Sequence, residues 1–363
     1  VAQEPPRPVC ETCKDRGVSV CRLCASKACE SELPFESCSV AQDCGDCGGV
    51  RLRDCTMCEH AAEIDVAAAR TTLELWRNTL RPIDEYMNTK DLVHIESAHF
   101  IVTSDVRKTD AKRATSQHAA AHWLLDGLER QRADFCAEAG CKDEDFGGKL
   151  HVMLWIKESD QSKAASRYTL ERANAQAKLM GAKPVISLLC GKGRLRTDVD
   201  LRHALVHQAA HCLLSSVFEP VALMNDKSGW IDEGLAHYFE IKYFGEAVEW
   251  CNVDPKVLEA AKLGRFEAHV LDGLAHAAVP SLSNVAGSDL LGLAPLQRVF
   301  AWSYVDCLMR KYPGTLARLA KQLKKRKLVT EALQLALDLP QADFEAAWHD
   351  FVKASYTLKP VRK

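Results

Sequence analysis

A repeated pair of cysteine motifs near the start of the chain constrains its fold more than any other sequence feature. The spacing Cys10-x2-Cys13-x7-Cys21-x2-Cys24 recurs as Cys44-x2-Cys47-x7-Cys55-x2-Cys58. Ten of the 16 cysteines lie in this stretch, a density typical of small units that lack a hydrophobic core. Each CxxC turn directs two thiolates at one point, so eight thiolates predict two tetrahedral zinc sites within residues 1–60.

The spacing leaves the pairing of the four motifs open. Each repeat can form its own site, or the sites can be nested, with the first motif joined to the fourth. A disulfide framework in an exported protein is the competing interpretation, above all for the leftover Cys29 and Cys38. The other six cysteines share no spacing and are expected to be buried or idle thiols: Cys136, Cys141, Cys190, Cys212, Cys251 and Cys307.

Glycines shortly after two of the motifs, in segments 13–17 and 47–49, carry a resemblance to a known zinc domain. In this respect residues 10–58 resemble the Cys-rich domain of J-domain co-chaperones. The resemblance implies structural zinc bound in nested fashion. The Gly-x-Gly pattern that this family has after every pair is absent here, so binding of client proteins is not implied.

Apolar spacing divides the rest of the chain into a linker helix and a larger domain. Residues 61–92 predict one amphipathic linker helix. Within residues 93–363, short apolar runs predict strands, and longer patterns predict helices over 111–139, 159–180, 199–216 and 230–244. The strands are expected at 98–102, 150–156 and 184–190, and a helical subdomain over 245–358. The predicted fold class is α+β, with a small N-terminal sheet and a mostly helical C-terminal half.

Charge and hydropathy exclude two classes of partner. The net charge of −2 provides no positive field, which argues against a dedicated nucleic-acid-binding protein. No run approaches the ~18 apolar residues of a membrane helix, so no membrane span is predicted.

A helix with three histidines, followed by a glutamate, is the most informative stretch for chemistry. His207 and His211 lie one helical turn apart, which is the geometry that two imidazoles need to bind one zinc. Glu233, near the start of the next helix, is available as a third ligand, and His2Glu with an open position is a catalytic zinc shell. His203 and His207 form a second register with the same spacing, and His237 is a candidate replacement ligand or orienting partner.

These residues resemble the motifs of the gluzincin metallopeptidases, which are HExxH on one helix and W-x-x-E-G-x-A on the next. The matching segments are His207-x3-His211 and Trp230-Ile231-Asp232-Glu233-Gly234-Leu235-Ala236. Segments 300–304 and 312–313 look like the helical subdomain of exported bacterial members, which extends the resemblance over roughly residues 95 to 355. The resemblance implies zinc bound by His207, His211 and Glu233, a peptide or protein ligand, and export to the periplasm or the cell exterior.

One position departs from the gluzincin pattern. Gln208 stands where that family has the Glu that takes a proton from the zinc-bound water. An amide cannot accept a proton at neutral pH, and the loss of a positioned general base costs ~10²–10⁴ in rate. The sequence therefore favours a zinc-binding pseudopeptidase that binds peptide or protein segments.

Two other functions remain open. The chain could be an active metallohydrolase in which Asp232, Glu240 or the bare zinc hydroxide replaces the missing base. Alternatively, it could be a structural interaction protein with an empty pocket, which binds metal only at the cysteine motifs.

Other residues with possible chemistry are expected to be structural. Gluzincins use a Tyr or His to stabilise the oxyanion, and Tyr238, Tyr243 and Tyr304 are the tyrosines available for that role. Each of them is expected in the core. The pair His118-x3-His122 has no downstream partner motif and is expected to form an exposed helix face.

Overall fold

A computed structural model describes most of the chain. The described residues are 9–21, 37–42, 44–59, 62, 64–89, 92–106, 117–173, 175–190, 195, 197–218, 228–251, 253–261, 263, 265–289 and 292–357. Two cysteines of the N-terminal segment, Cys24 and Cys29, lie outside them. Within the described residues the fold is α+β, which confirms the predicted class.

The strands of the described residues are β1 Val18–Val20, β2 Ser37–Cys38, β3 Leu52–Asp54, β4 Val93–Glu96, β5 Phe100–Ser104, β6 Leu150–Trp155, β7 Gln176–Leu179 and β8 Val185–Leu189. Strands β1 and β3 form a separate antiparallel pair. In this part of the chain the other six strands form one mixed sheet in the order β2-β4-β5-β6-β8-β7. Its centre is parallel, and the strands at both edges are antiparallel to their neighbours.

The α-helices of the described residues are α1 Ser39–Gln42, α2 Val66–Met87, α3 Gln117–Ala139, α4 Glu158–Ala164, α5 Asp198–Val217, α6 Gly229–Phe244, α7 Pro255–Ala261, α8 Phe266–Ala275, α9 Leu282–Ala286, α10 Pro295–Lys311, α11 Leu316–Lys324, α12 Val329–Leu337 and α13 Gln341–Ser355. A 3-10 turn spans Asp143–Asp145, and a π-helical turn spans Ala165–Thr169. None of these helices is both long and apolar enough to cross a membrane.

The mixed sheet has a core on each face, because successive side chains of a strand point to opposite faces. Val152 and Leu154 of β6 join the larger core, which continues into the helical half. Met153 and Trp155 of the same strand join a smaller core under α2. The sheet is therefore held between α2 on one side and the helical half on the other.

Helix α6 lies between α5 and α10 and packs closely against both. A Cβ atom added at Gly234 would lie 2.7 Å from the carbonyl oxygen of Ala301 on α10. Only glycine allows the two backbones to approach this closely. The glycine after Glu233 thus sets how deeply α6 sits in the helical half.

The helix predicted over 159–180 is wrong in its second half. Helix α4 and the π-helical turn end at Leu170, whose φ of 61° is left-handed, and the chain then forms β7. Strand β7 pairs antiparallel with β8, with Ala177 opposite Ser187. This long-range pairing overrides the local helical pattern. The result is an edge strand that runs beside α5.

The cysteine-rich segment contributes the opposite edge of the same sheet. Ser37 and Cys38 of β2 pair with Glu96 and Ile95 of β4. The backbone N–H of His94 donates a hydrogen bond of 2.9 Å to Ser39 Oγ. Residues 37–42 are thus packed into the larger fold.

Candidate metal centres

Four buried side chains from separate parts of the chain converge on one point. His207 and His211 lie on α5, Glu233 lies on α6, and Cys251 follows α6 in a loop. The two histidine Nε2 atoms are 3.2 Å apart. Cys251 Sγ lies 3.4 Å from Nε2 of His207 and 3.3 Å from Nε2 of His211. Glu233 Oε2 lies 3.9 Å and 3.6 Å from the same two nitrogens.

These separations fit donors around one metal ion. Nitrogen, oxygen and sulfur ligands of a tetrahedral zinc lie about 3.3–3.8 Å from one another. His207 Nδ1 donates to Glu240 Oε2 at 3.0 Å, and His211 Nδ1 donates to Asp232 Oδ1 at 2.7 Å. With each Nδ1 donating to a carboxylate, both rings direct Nε2 at the same point, an arrangement that suits a bound cation. Glu233 Oε2 is buried there and accepts no hydrogen bond from any described residue.

The geometry selects one of the two histidine registers. His203 lies outside the donor group, and its Nδ1 donates to Glu240 Oε1 at 2.8 Å. Glu240 thereby accepts hydrogen bonds from two histidines of α5. Glu240 and Asp232, the candidate replacement bases, accept hydrogen bonds from the Nδ1 atoms of His207 and His211. These hydrogen bonds fix the orientation of the two rings.

His237 lies behind the donor group and contacts two of its carboxylates. Its Nε2 is 3.4 Å from Glu233 Oε1, and its Nδ1 is 3.5 Å from Glu240 Oε2. Burial would lower the pKa of His237, but its interactions with these two carboxylates outweigh burial and raise that pKa. This placement fits an orienting partner, although His237 also belongs to a second potential donor group with His207 and Glu240.

Two cations that the sequence analysis missed border the donor group. Arg298 is 1% exposed, and its Nη1 donates to Glu233 Oε1 at 2.6 Å and to the Cys251 carbonyl oxygen at 2.7 Å. Burial would raise the pKa of Glu233, but His237, His207 and Arg298 hold it well below its usual value. Lys178 Nζ of β7 lies 3.3 Å from Cys251 Sγ. Glu233 is therefore ionised. The ammonium group of Lys178 lies beside the sulfur of Cys251.

Cys251 is the member of this potential donor group that the sequence did not predict. It was expected to be a buried or idle thiol, and it is buried, but its sulfur is one of the four donors. The loop after α6 returns to the helix, where the Cys251 N–H donates to Glu233 Oε1 at 3.3 Å. No motif surrounds this cysteine, so only the path of the loop identifies it.

Gln208, at the position of the missing base, lies at a cleft beside the donors. Its Nε2 donates to Gln176 Oε1 of β7 at 3.0 Å, and Gln176 Nε2 donates to Glu249 Oε2 at 3.1 Å. The cleft has a volume of about 290 Å³ and is lined by β7, Gln208 and Trp250. The amide is thus directed towards the edge strand.

The three candidate tyrosines all make hydrogen bonds away from the metal donors. Tyr304 donates to the carbonyl oxygen of Pro280 at 3.1 Å. Tyr238 and Tyr243 donate to carboxylates of α3 at 2.9 Å and 2.7 Å. The expectation that they are structural agrees with these contacts.

The cysteine motifs are grouped in nested fashion. Cys10, Cys13, Cys55 and Cys58 form one group, in which the Cys10–Cys55 and Cys13–Cys58 sulfurs are 3.9 Å and 3.3 Å apart. These distances exceed the ~2.05 Å of a disulfide and suit thiolates around a metal. The second group comprises Cys21, Cys44 and Cys47, and its expected fourth member, Cys24, lies outside the described residues.

The expectation of an exposed face at His118 and His122 is wrong. His122 is buried, His118 is half-buried, and both lie beside Cys38 of β2. The sequence contained no partner motif because the partner comes from a distant strand. These three residues form a further potential donor group.

No protein-family model matches the chain, and a search of curated proteins found no match. The resemblance to gluzincins therefore rests on the sequence motifs alone.

Proposed function

We propose that this protein is a zinc-binding, peptidase-like protein that binds peptide or protein segments without hydrolysing them. The observation that carries the proposal is the position of Cys251 Sγ, which lies 3.4 Å and 3.3 Å from the Nε2 atoms of His207 and His211. With Glu233, the shell has four protein donors. A complete protein shell is typical of structural zinc, whereas catalytic zinc keeps one open position.

Two features oppose hydrolysis independently. A hydrolytic zinc supplies a polarised water at an open position, and the sulfur of Cys251 would occupy that position. Gln208 cannot take the proton that a general base removes. Asp232 and Glu240 accept hydrogen bonds from Nδ1 of His211 and His207. Neither carboxylate is therefore free to act as a replacement base.

The donor set favours zinc over other metals. Mixed imidazole, thiolate and carboxylate donors at tetrahedral spacing suit zinc, and magnesium or calcium would require oxygen donors. The nested cysteine groups offer all-sulfur shells, which are typical of structural zinc. We therefore assign zinc to these centres as well.

The edge of β7 is the proposed binding surface for a peptide. An edge strand presents backbone groups to which an extended segment can add as a further strand. Gln176 and Lys178 of β7 line the cleft together with Trp250, which provides polar and aromatic contacts. The proposed ligand is thus an extended segment that lies along β7 above the metal donors.

Zinc content and peptidase assays test the metal centre. Elemental analysis should show one zinc fewer per chain in His207→Ala/His211→Ala than in the wild type. His203→Ala is the matched control and should keep that zinc, because His203 lies outside the donor group. An unchanged zinc content in the double variant would mean that the pocket is empty.

Restoring both the general base and the open zinc position should allow the site to cleave peptides. We expect no cleavage of casein by the wild type, Gln208→Glu or Cys251→Ser, and measurable cleavage by the Gln208→Glu/Cys251→Ser double variant. Wild-type cleavage that disappears in His211→Ala would instead establish an active metallohydrolase.

Hydrogen exchange tests peptide binding directly. Amides of β7 should exchange more slowly when a tryptic digest of casein is added to the zinc-loaded protein. Strand β2, at the opposite sheet edge, is the internal control and should be unaffected. Equal protection at both edges, or none, would contradict binding along β7.

A further inference from the structure

We propose a further zinc site formed by Cys38, His118 and His122, which joins the cysteine-rich segment to helix α3. Cys38 ends β2, and the two histidines lie one turn apart near the start of α3. His118 Nε2 lies between the other two donors: it is 3.0 Å from Cys38 Sγ and 3.0 Å from His122 Nε2. This site is independent of the function proposed above.

The geometry places three donor atoms around one point inside the protein. Cys38 is 3% exposed and His122 is 2% exposed, whereas His118 is half-buried, so two of the three donors are shielded from water. His118 Nε2 has either one hydrogen or one lone pair, and it cannot form full hydrogen bonds with both neighbours at once. A metal ion at the centre would accept a lone pair from each of the three atoms.

The donor chemistry points to zinc. One thiolate and two imidazoles form a borderline-soft set that zinc binds with tetrahedral geometry. Such donors lie about 3.3–3.6 Å apart around zinc, and all three donor atoms of this cluster lie within 4.8 Å of one another. Three protein donors leave one position for water or for a further donor of the chain.

The position of the site indicates what it would stabilise. Cys38 and His118 are separated by 80 residues in the chain, and β2 is only two residues long. A metal bound by both closes a long loop, which lowers the entropy of the unfolded chain. The site would therefore hold β2 against the sheet edge and keep the cysteine-rich segment on the larger fold.

Zinc stoichiometry tests the proposal. Elemental analysis of the reduced full chain should show one zinc per chain lost in His118→Ala/His122→Ala and in Cys38→Ser. His276→Ala, which removes an exposed histidine outside the donor groups, should lose none. Unchanged zinc content in both test variants would overturn the proposal.

Cadmium-113 NMR keeps the test decisive if the double-histidine variant fails to fold. The cadmium-loaded wild type should show two resonances with the shift of single-sulfur coordination, distinct from those of the all-cysteine sites. Cys38→Ser, a near-isosteric change, should remove one of them, and Cys251→Ser should remove the other. Retained resonances of the other sites would show that the variant is folded. A spectrum in which Cys38→Ser removes no resonance would contradict the site.

Discussion

If the site binds zinc as proposed, Cys251 and Gln208 oppose two different requirements of hydrolysis. The sulfur of Cys251 would fill the position that a water needs, and the Gln208 amide could not accept that water's proton. Removing a single obstacle leaves the other in place, so the two substitutions should act non-additively. At the scale of residues, Gly234 and Asp306 lead to two predictions about stability.

Gly234→Ala should destabilise the fold. The new methyl group would lie 2.7 Å from the Ala301 carbonyl oxygen and 2.9 Å from Val305 Cγ2. Relief requires α6 and α10 to separate, and we expect the free energy of unfolding to fall by about 1–3 kcal/mol in urea titrations. Gly127→Ala on α3 is the control, because its Cβ meets no atom within 4 Å. Equal effects of the two changes would refute the close-contact explanation.

Asp306 should make stability depend on pH. Its side chain is buried on α10 and accepts a hydrogen bond from Tyr356, and burial raises its pKa to about 6. The folded state therefore binds the proton more tightly than the unfolded state, where the pKa is ~3.9. This contribution is fully present below about pH 4 and is lost as pH rises through about 6, a change of about 2–3 kcal/mol.

Asp306→Asn cannot ionise and should lack this dependence. Relative to the wild type, its free energy of unfolding should increase between pH 4 and pH 8, as measured by urea titration of zinc-loaded protein. The quantity to compare is the difference in free energy of unfolding between the two proteins, because other titrating groups affect both equally. A difference that stays constant with pH would show that Asp306 is ionised throughout.

At the scale of elements, α5 carries two metal donors and Gln208, and its first turn is secured by a capping box. Asp200 N–H donates to Thr197 Oγ1 at 3.1 Å, and Thr197 N–H donates to Asp200 Oδ2 at 3.0 Å. Gln131 of α3 donates to the Val206 carbonyl oxygen at 2.7 Å and ties the middle of α5 to the core. The histidines are thus positioned by a helix that is fixed at its start and in its middle.

Thr197→Ala should lower the free energy of unfolding by about 1 kcal/mol, since it removes one half of the capping box. Zinc content should not change, because the donors lie beyond the first turns of α5. Thr197→Ser keeps the hydroxyl and should remain close to the wild type in the same urea titration. If serine is as destabilising as alanine, the cap contributes nothing to stability.

At the scale of the whole molecule, the two parts of the protein depend on metal to different degrees. The larger fold has an extended apolar core, whereas residues 9–21 and 44–59 bury mainly cysteines and Val18. Small units with so little core are usually stabilised by metal. The cysteine-rich segment should therefore lose its structure first when metal is removed.

Limited proteolysis with and without a chelator measures this difference. After chelation, we expect early cleavage within residues 9–59, while α3 and α5 remain protected. Addition of zinc should restore resistance. Simultaneous cleavage throughout the chain would show that the larger fold needs metal equally.

The sequence by itself determined the local features of this protein. The three-residue interval between His207 and His211 places both rings on one helical face, and each CxxC motif defines its own turn. Apolar runs located the three central strands near their observed positions, and the fold class followed from the order of the elements. These features depend on interactions between residues that are close in the chain.

Only the tertiary structure decided which distant residues complete the sites. Cys251 reaches the donors because a loop folds back onto α6, and Cys38 meets His118 because β2 joins the sheet beside α3. Strand β7 exists because β8 pairs with it, against the local helical pattern. Such contacts follow from the path of the whole chain, and residue spacing contains no information about them.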